Sequence, residues 1–470
     1  MPLPLSLTEV AFARTPCRTR LPFRFGAVTV TSADLLTCRV RCAAGADTAS
    51  GYAADLLVPR WFRKDTDATP QQDADELLQC ARSAAETFAA RLRAPDALFA
   101  AWRDVFASCT GDAPDAPDRL ARGFGVALVE RALLDAASRL ACLPFATALR
   151  EDVFGFRPGE VHGELAGWDW RAALPTPSPR LLVRHTVGML DVLRTGDLAP
   201  GQRLDDGLPQ TLEQDLAVYG HRWLKVKIGA GPERDRARLL DLAAFLGERD
   251  LAPGITLDGN EQYPDTAQLA ELLEAVAAEP RGRELLARVA WIEQPLARAF
   301  TFDRVRHADV ARVTKFAPLI LDEADSGPDS FRRALDLGYR GVSVKNCKGV
   351  FRALANFGLC RAAPGRFQSS EDLTNIGVLP LQQDLVTAAV LGLPHSERNG
   401  HHYFRGLDHL GPDAAAAAAR DHADLYGPIA GGDFGLRITG GEVSFASALS
   451  AVGYGHAGGE IAAAWSPVAG

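Results

Sequence analysis

The sequence lacks the features that would tie it to a membrane, a nucleic acid or a cysteine-bound metal. None of its apolar runs reaches the roughly 18 residues that a membrane-spanning helix needs, so we expect no membrane partner. It has no cluster of lysine and arginine, and its formal net charge is −8, so nucleic acid is not an expected partner. Among the eight cysteines only Cys38 and Cys42 are close together, and no second pair or run of histidines completes a zinc pattern.

Two further absences bear on localisation. The first five residues, MPLPL, do not form a basic segment followed by an apolar core, so we expect no secretory signal. The scattered cysteines show no disulfide framework and fit a reducing compartment. We therefore expect a cytoplasmic protein.

The chain is long and apolar enough for more than one domain, with 470 residues of which 47% are hydrophobic. Residues 1–150 predict an α+β domain, with short strand-like runs to about residue 60 and helices over 73–93, 96–108 and 125–140. Segment 21–26, with Arg24 and two phenylalanines, is expected to be a loop. Residues 150–180 are rich in proline and glycine and indicate a passage into a second domain.

The second half alternates short apolar runs with segments of helical length. The runs predict strands at 181–187, 223–228, 254–257, 289–292, 319–321, 341–344, 366–368 and 391–394. Eight strands with this spacing favour an α/β fold with a closed parallel barrel. The alternative, a doubly wound open sheet, lacks the glycine-rich phosphate turn after its first strand.

Lys225 and Lys227 lie two residues apart in an apolar run, so on a strand they point to the same side. Two ammonium groups on a buried face need compensating carboxylates or a substrate anion. Each also disfavours the charge of the other, which is expected to lower a lysine pKa toward the range of a general base. For an isolated Lys-x-Lys pattern, an edge strand with both lysines in water is the commoner explanation.

What favours a site is the series of polar residues at the ends of the later strands. In order, these are Asp258, Glu293, Asp322 with Glu323, Lys345 and Glu371. Each alone has an ordinary explanation, such as a turn or a solvated pair at the start of a loop. In a parallel barrel, however, the carboxyl ends of the strands converge on one site, and carboxylates at successive ends suit Mg²⁺.

With these residues the chain resembles the enolase superfamily, within the mandelate racemase and muconate lactonizing enzyme family and nearest to the muconate-lactonizing type. The resemblance implies a modified (β/α)₇β TIM-like barrel over 151–428, an α+β capping domain over 1–150, and a tail over 429–470 that returns to the cap. It implies one Mg²⁺ per active site, a small carboxylate substrate and an assembly of identical chains.

The resemblance also implies roles for individual residues. The Mg²⁺ ligands would be Asp258, Glu293 and Asp322. Lys227 would be the acid/base on one face of the substrate, with Lys225 as its electrostatic partner, and Lys345 would serve the opposite face. Residues in contact with the substrate or behind the ligands would be Arg24 in the mobile specificity loop, Asn260, Glu371, His401, and Glu323 paired with Lys345.

The end of the eighth strand departs from two subgroups of the family. It has no Asp-x-Asp of the kind that dipeptide epimerases use for an α-ammonium group, and no His-Asp dyad replaces Lys345, as the mandelate racemase subgroup would require. A polar set follows instead, which either recognises an anionic distal group or only lines a loop: Arg398, Asn399, His401, His402 and Arg405. His185 on the first barrel strand could face the site or be structural, the latter being favoured.

These residues predict removal of a proton α to a carboxylate through an enediolate that the metal stabilises. Racemisation or epimerisation is favoured because both lysines are present. Dehydration of a sugar acid or cycloisomerisation is the alternative on the same scaffold. A barrel that binds a carboxylate without catalysis is a third hypothesis, and the full set of ligands and bases argues against it.

Overall fold

The computed structural model describes residues 2–26, 28–58, 60–64, 67–458 and 461 of the chain. The N-terminal part forms an antiparallel sheet of three strands, β1 (Ser6–Phe25), β2 (Val28–Ala44) and β3 (Asp47–Leu56), in the order β1-β2-β3. Helices α1 (Pro70–Arg91), α2 (Leu98–Thr110), α3 (Arg119–Leu140) and α4 (Phe145–Arg150) follow, and a short helix α5 (Trp170–Ala173) precedes the second part.

The predicted loop at 21–26 is wrong, because β1 continues to Phe25. Phe23, Arg24 and Phe25 pair with Val30, Thr29 and Val28 of β2 after a register shift. Alternation along this strand buries Phe23 and Phe25 and leaves Arg24 exposed. The chain therefore presents two aromatic side chains from a paired strand to the interior.

The second part is a closed barrel of eight parallel strands, as the sequence predicts. Neighbouring strands pair in chain order and the last pairs with the first. The strands are β4 (Arg180–Val187), β5 (Trp223–Lys227), β6 (Gly254–Asp258), β7 (Val289–Glu293), β8 (Leu319–Leu321), β9 (Gly341–Val344), β10 (Phe367–Ser370) and β11 (His395–Glu397).

At least one helix follows each strand from β4 to β10, which gives the (β/α)₇β order. These helices are α6 (Leu212–Tyr219), α7 (Pro232–Glu248), α8 (Thr266–Ala277), α9 (Pro280–Leu286), α10 (Val310–Val313), α11 (Ser330–Leu335), α12 (Val350–Arg361) and α13 (Leu379–Val390). Local sequence determines where α6 begins and ends. Thr211 and Gln214 form a capping box at its start, and Gly220, in the left-handed conformation, ends it. No described helix is long and apolar enough to cross a membrane.

The eighth strand lies at His395–Glu397, and the predicted strand at 391–394 is wrong. Gly392 has a φ of +68° just after α13, so this apolar stretch is a helix end and turn. Ser396 and Glu397 are buried because their side chains meet polar partners on β10 and β4. Because this strand is polar, it lacks the run of apolar residues from which the other strands are predicted.

After the barrel come α14 (Gly400–Tyr403), α15 (Pro412–Asp421), β12 (Tyr426–Pro428), β13 (Phe434–Leu436), β14 (Glu442–Ser444) and α16 (Ala446–Ser450). Strand β14 pairs antiparallel with β4 and so extends the barrel sheet. Beyond it the tail reaches the first part of the chain, where the ring of Tyr454 stacks on Phe145.

Helix α3 joins the two parts, because its polar side chains are buried against both. Glu130 Oε1 accepts the backbone N–H groups of Val350 and Phe351, at 2.9 and 2.7 Å, where α12 begins. Gly125 allows close packing on α1, since a Cβ there would lie 2.3 Å from the carbonyl oxygen of Cys80. A helix buried on most sides is not amphipathic in the ordinary sense.

Asp135 on α3 fixes the C-terminal tail. Its carboxylate accepts the backbone N–H groups of Tyr52 at 2.9 Å and Tyr454 at 2.6 Å, and lies 3.0 Å from His456 Nε2 and 3.1 Å from Arg139 Nε. Burial raises the pKa of Asp135, but His456 and Arg139 outweigh this and lower it to about 2. The folded chain therefore favours the ionised carboxylate.

We expect Asp135→Asn to destabilise the protein by about 3 kcal/mol at neutral pH, because it leaves buried polar partners without their anion. A depressed folded pKa contributes stability that is present above the unfolded value of about 3.9 and lost as pH falls toward 2. The difference in melting temperature between native protein and variant should therefore shrink as pH falls below 4.

Asp104→Asn is the matched control, since this carboxylate is exposed and pairs with Arg91 at 2.8 Å. Exposed pairs contribute about 0–1 kcal/mol, so the control should melt close to the native protein. Equal melting of the two variants would contradict the role of Asp135.

Candidate active site

The carboxyl ends of the barrel strands carry the predicted polar residues. Lys227, Asp258 and Glu293 occupy one register row, since Lys227 pairs with Asp258 and Asp258 with Glu293 on successive strands. Asp322, Lys345 and Glu371 directly follow β8, β9 and β10. All six are buried. Strand pairing alone therefore assembles a cluster of opposite charges.

Lys225 lies at the centre of this cluster, fully buried. Its Nζ lies 2.6 Å from Glu371 Oε2, 2.7 Å from Glu293 Oε2, 2.8 Å from Glu397 Oε2 and 3.1 Å from Asp258 Oδ2. The β4–β5 register places Thr186 beside Lys225, and the Thr186 hydroxyl donates to Glu397 Oε1 at 2.6 Å. One ammonium group thus contacts carboxylates from four strand ends.

The lowering of a lysine pKa expected from the pair Lys225 and Lys227 is wrong for Lys225, and Lys345 behaves as Lys225 does. Burial lowers both, but the nearby carboxylates outweigh burial and hold both pKa values well above the ordinary lysine value. The repulsion between ammonium groups that the sequence suggests is thus overcome by four acids around Lys225 and by Asp322 beside Lys345. Both lysines are ammonium ions at neutral pH.

Burial and neighbouring charges shift the pKa values of the carboxylates in different directions. Burial, with repulsion from Asp258 and Glu371, raises the pKa of Glu293 well above its usual value. Burial also raises the pKa of Asp322, but Lys345 and Lys348 outweigh it and hold that pKa well below the usual value. Asp322 is therefore firmly ionised, whereas Glu293 pairs less completely with the cations around it.

Lys227 and Lys345 each contact one carboxylate closely. Lys227 Nζ lies 2.6 Å from Asp258 Oδ2, and Lys345 Nζ lies 2.7 Å from Asp322 Oδ2. Lys345 Nζ also lies 4.8 Å from the centre of the Trp61 ring. Both lysines line the same cavity, on different sides of the barrel mouth.

Oxygen atoms suited to a hard divalent cation come together here. Glu293, Asp322 and Glu371 each offer a carboxylate oxygen, and these lie within 4.8 Å of one another. Asp258, a predicted ligand, faces the same centre but contacts Lys225 and Lys227. All the donor atoms are oxygen, which suits Mg²⁺. Glu371 lies among these possible metal ligands, whereas the sequence predicts that Glu371 contacts the substrate.

Asn260 lies beside this donor set, in the left-handed turn after β6, with a φ of +43°. Its Nδ2 donates to Asp258 Oδ2 at 3.3 Å and to Glu323 Oε1 at 3.5 Å, while its Oδ1 has no hydrogen-bond partner among the described residues. Glu323 does not pair with Lys345 as expected, because Lys345 contacts Asp322. Burial, with repulsion from Asp322, raises the pKa of Glu323 to about 7.

The cavity above the charged cluster has an apolar side and a polar side. Among its lining residues, the apolar ones are Phe23, Phe25, Val58, Trp61 and Leu373, and the polar ones are Lys227, Asn260, Lys345, Asp372, Thr374, Glu397 and Asn399. A wider cleft adjoins it at Lys227 and is lined partly by Arg24, Met189 and Arg238. Arg24 therefore lies at the edge of the wider cleft.

The polar set after β11 does not act as one group. Arg398 is buried and donates to Asp372 at 2.9 Å and Asp384 at 3.0 Å, and Arg405 pairs with Asp433 at 2.6 Å. Asn399 lines the cavity, but His401 is not among the described residues that do. A cluster of histidines outside the barrel surrounds His401 instead.

Three residues that shape the site are not among those that the sequence predicts. Glu397 ends β11 and contacts Lys225, and its place at an eighth strand end could have revealed it. Gln294 accepts the backbone N–H groups of Asp322 at 3.0 Å and Ala324 at 3.2 Å, which orients the neighbouring ligand. Trp61 comes from the first part of the chain, where no sequence pattern pointed to the barrel.

Arg298 holds the segment that carries Trp61 against the barrel. Its guanidinium donates to the carbonyl oxygens of Trp61 and Phe62, each at 2.7 Å. Glu261 accepts from the same group at 2.8 and 2.9 Å. A charge-assisted bidentate pair of this kind fixes both position and orientation.

Comparison with known families bears on the barrel. Residues 208–406 match the family model described as enolase C-terminal domain-like. No curated protein matches the chain in sequence. The resemblance that the strand-end residues indicate is thereby confirmed, while the muconate-lactonizing subgroup stays a prediction.

Solved structures share the fold at low sequence identity. An enolase from Bradyrhizobium complexed with magnesium and mandelic acid is 17% identical, with 94% of each chain covered and a TM-score of 0.57. A muconate lactonizing enzyme from Pseudomonas fluorescens is 17% identical, covering 83% of this chain and 87% of its own, with a TM-score of 0.55. A dipeptide epimerase from Enterococcus faecalis is 15% identical, covering 96% and 99%, with a TM-score of 0.58.

We expect Lys225→Met to lower the melting temperature without added metal, because it removes the ammonium that four carboxylates share. Loss of one partner from a buried ion group costs about 3–5 kcal/mol. Added Mg²⁺ should raise the melting temperature of Lys225→Met more than that of the native protein, since a bound cation would neutralise the same oxygens.

The control is Lys315→Met, which removes an exposed lysine. It should melt and respond to Mg²⁺ as the native protein does. Native-like melting of Lys225→Met in the absence of metal would show that this ammonium does not hold the strand ends together.

Proposed function

We propose that this chain, a member of the enolase superfamily, is an enzyme that removes the proton α to a substrate carboxylate with the help of Mg²⁺. The observation that carries the proposal is the placement of Lys227 and Lys345. Both line one cavity, one from β5 and one from the end of β9, and each lies within 2.7 Å of a carboxylate of the central cluster.

The metal would be held by Glu293 and Asp322, with Asp258 or Glu371 as the third carboxylate. A dication bound there would draw both oxygens of a substrate carboxylate and stabilise the negative charge that develops when the α-proton leaves. Gln294 orients the backbone at Asp322, and Asn260 directs an unpartnered oxygen atom near the same place. Gln294 would thereby hold Asp322 in place beside the lysines.

Lys227 would take the α-proton on one face of the substrate. Lys345, an ammonium ion held by Asp322 and Trp61, would then deliver a proton to the opposite face, and the two lysines would exchange these roles for the other enantiomer. Net inversion at the α-carbon follows when one lysine removes a proton and the other returns one. The geometry therefore supports a racemase or epimerase.

The side walls favour a small carboxylic acid with an apolar or aromatic group next to the α-carbon. Phe23, Phe25 and Trp61 form the wall that comes from the first part of the chain, and they exclude water from the lysines. Arg398 Nη1 donates to both Asp372 and Asp384, so the charge of Arg398 is balanced and does not add a free cation for a second acidic group. N-acyl amino acids and aryl hydroxy acids are therefore the first substrates to examine.

Elimination on the same scaffold is the second candidate. In a dehydratase or cycloisomerase, Lys227 would still remove the α-proton while Lys345 would protonate a leaving group or take no part. One of the structural relatives is a muconate lactonizing enzyme complexed with muconolactone, so this chemistry belongs to a chain of similar fold. The two reactions differ in whether the bond from the β-carbon to a leaving group breaks after the α-proton is removed.

Proton NMR in D₂O with Mg²⁺ decides whether α-proton removal takes place. The native protein should exchange the α-proton of a substrate among N-acyl amino acids, hydroxy acids or sugar acids, with the signal lost and no new product formed. A 2-keto or vinylic product would identify elimination instead. Metal binding without exchange or product across all three classes would contradict proton abstraction from these acids.

The single variants Lys227→Ala and Lys345→Ala separate the two faces. Each should reduce racemisation by about 10²–10⁴-fold, because loss of a positioned acid/base removes that much rate. Each should still exchange the α-proton of one enantiomer with solvent, and the two variants should act on opposite enantiomers. Full racemase activity of Lys345→Ala would contradict the two-base mechanism.

A further inference from the structure

Four side chains with metal-binding atoms meet outside the barrel, away from the carboxylate site. His185 on β4, Asp215 on α6, His221 just before β5 and His401 on α14 each offer a ligand atom, and these atoms lie within 4.8 Å of one another. His185, Asp215 and His221 are buried, and His401 is half-buried. We call this set the histidine cluster.

The potential ligand atoms of the histidine cluster lack ordinary partners. His185 Nδ1, both ring nitrogens of His221 and both of His401 make no hydrogen bond with described residues. Asp215 Oδ2 lies 3.0 Å from His402 Nδ1 and 3.6 Å from His185 Nε2. A buried polar atom without a partner is destabilising, so several in one place indicate a missing ligand.

The charges of the histidine cluster fit a cation. Burial, followed by repulsion between neighbouring imidazoles, lowers the pKa of His221 and His401 well below the usual value. Burial also lowers the pKa of His185. Neutral imidazole is the form that binds metal. His402 differs, because Asp215 outweighs burial and raises its pKa.

We propose that His185, His221, His401 and Asp215 bind a transition-metal dication, with Zn²⁺ the best match. Three imidazole nitrogens and one carboxylate oxygen form a four-ligand set typical of zinc, whereas Mg²⁺ prefers oxygen. This site is separate from the carboxylate cluster. On β4 the Thr186 side chain meets Glu397 inside the barrel, while His185, the adjacent residue, points to the outside.

A metal with four protein ligands would stabilise the structure and would have no open position for a substrate. It would fasten α6 and α14 to the strands β4 and β5. The residues next to His401 connect the site to the cavity wall, because Arg20 of β1 donates to the His402 carbonyl at 2.8 Å. The Tyr403 ring lies 4.4 Å from the ring of Phe23, which lines the cavity. The bound metal would thereby hold the β1 side of the wall in place.

Cobalt substitution tests the site directly, because Co²⁺ bound by three imidazoles absorbs visible light strongly and octahedral Co²⁺ on carboxylates absorbs weakly. Native protein treated with a chelator and titrated with Co²⁺ should develop a strong band that saturates at one ion per chain. Zn²⁺ added afterwards should remove the band by displacement and raise the melting temperature by several degrees.

Two variants remove ligands and two serve as controls. His221→Ala and His401→Gln should lose the strong band and the Zn²⁺ shift, with His401→Gln the milder change because that side chain is half-buried. His162→Asn, at a buried histidine elsewhere, and Glu293→Gln, in the carboxylate cluster, should keep both. Circular dichroism of each variant confirms that it is folded.

The proposal is overturned if the native protein shows no strong band at saturating Co²⁺. It is also overturned if the band survives in folded His401→Gln or disappears in Glu293→Gln, which would place the ion in the carboxylate cluster. These outcomes do not depend on the proposed reaction, because the readouts are metal absorption and thermal stability.

Discussion

The balance of charge around Lys225 is the constraint on which the rest of the active site depends. Four strand ends bring carboxylates to a space closed to water, and one ammonium group lies within 3.1 Å of all four. Without it, the mutual repulsion of the acids would oppose closure of the barrel mouth. Lys227 and Lys345 extend the same arrangement outward by pairing with Asp258 and Asp322. Structure and reactivity therefore rely on the same ion pairs.

Much of this arrangement could be predicted because a parallel barrel converts sequence spacing into position. Strand ends in chain order become neighbours in space, so Asp258, Glu293 and Asp322 could be placed without coordinates. Spacing does not predict β11, because this strand is buried against polar partners: Glu397 contacts Lys225 and Ser396 contacts Ser370. The pKa of Lys225 was misjudged because the sequence showed the neighbouring lysine but not the geometry of four acids.

Other features depend on contacts between distant parts of the chain, which periodicity does not reveal. The histidine cluster draws its members from β4, α6, β5 and α14, so no compact sequence pattern marks it. Trp61 is held against the barrel by Arg298, which binds two carbonyl groups of its segment, and by Lys64, which donates to the Asn260 carbonyl. Helix α3 behaves similarly, since the carboxylate of Glu130 lies at the start of a barrel helix. Contacts of this kind cannot be predicted from periodicity and become apparent only in the folded structure.

The wall formed by Phe23, Phe25 and Trp61 is anchored through backbone groups, by pairing of β1 with β2 and by the guanidinium of Arg298. Its side chains are therefore free to change without disturbing the bonds that hold it. The charged centre, by contrast, tolerates few substitutions, because each charged side chain pairs with another. This separation suits the scaffold to directed evolution, in which libraries at Phe23 and Phe25 would reshape the cavity while the ion pairs of the charged centre are kept.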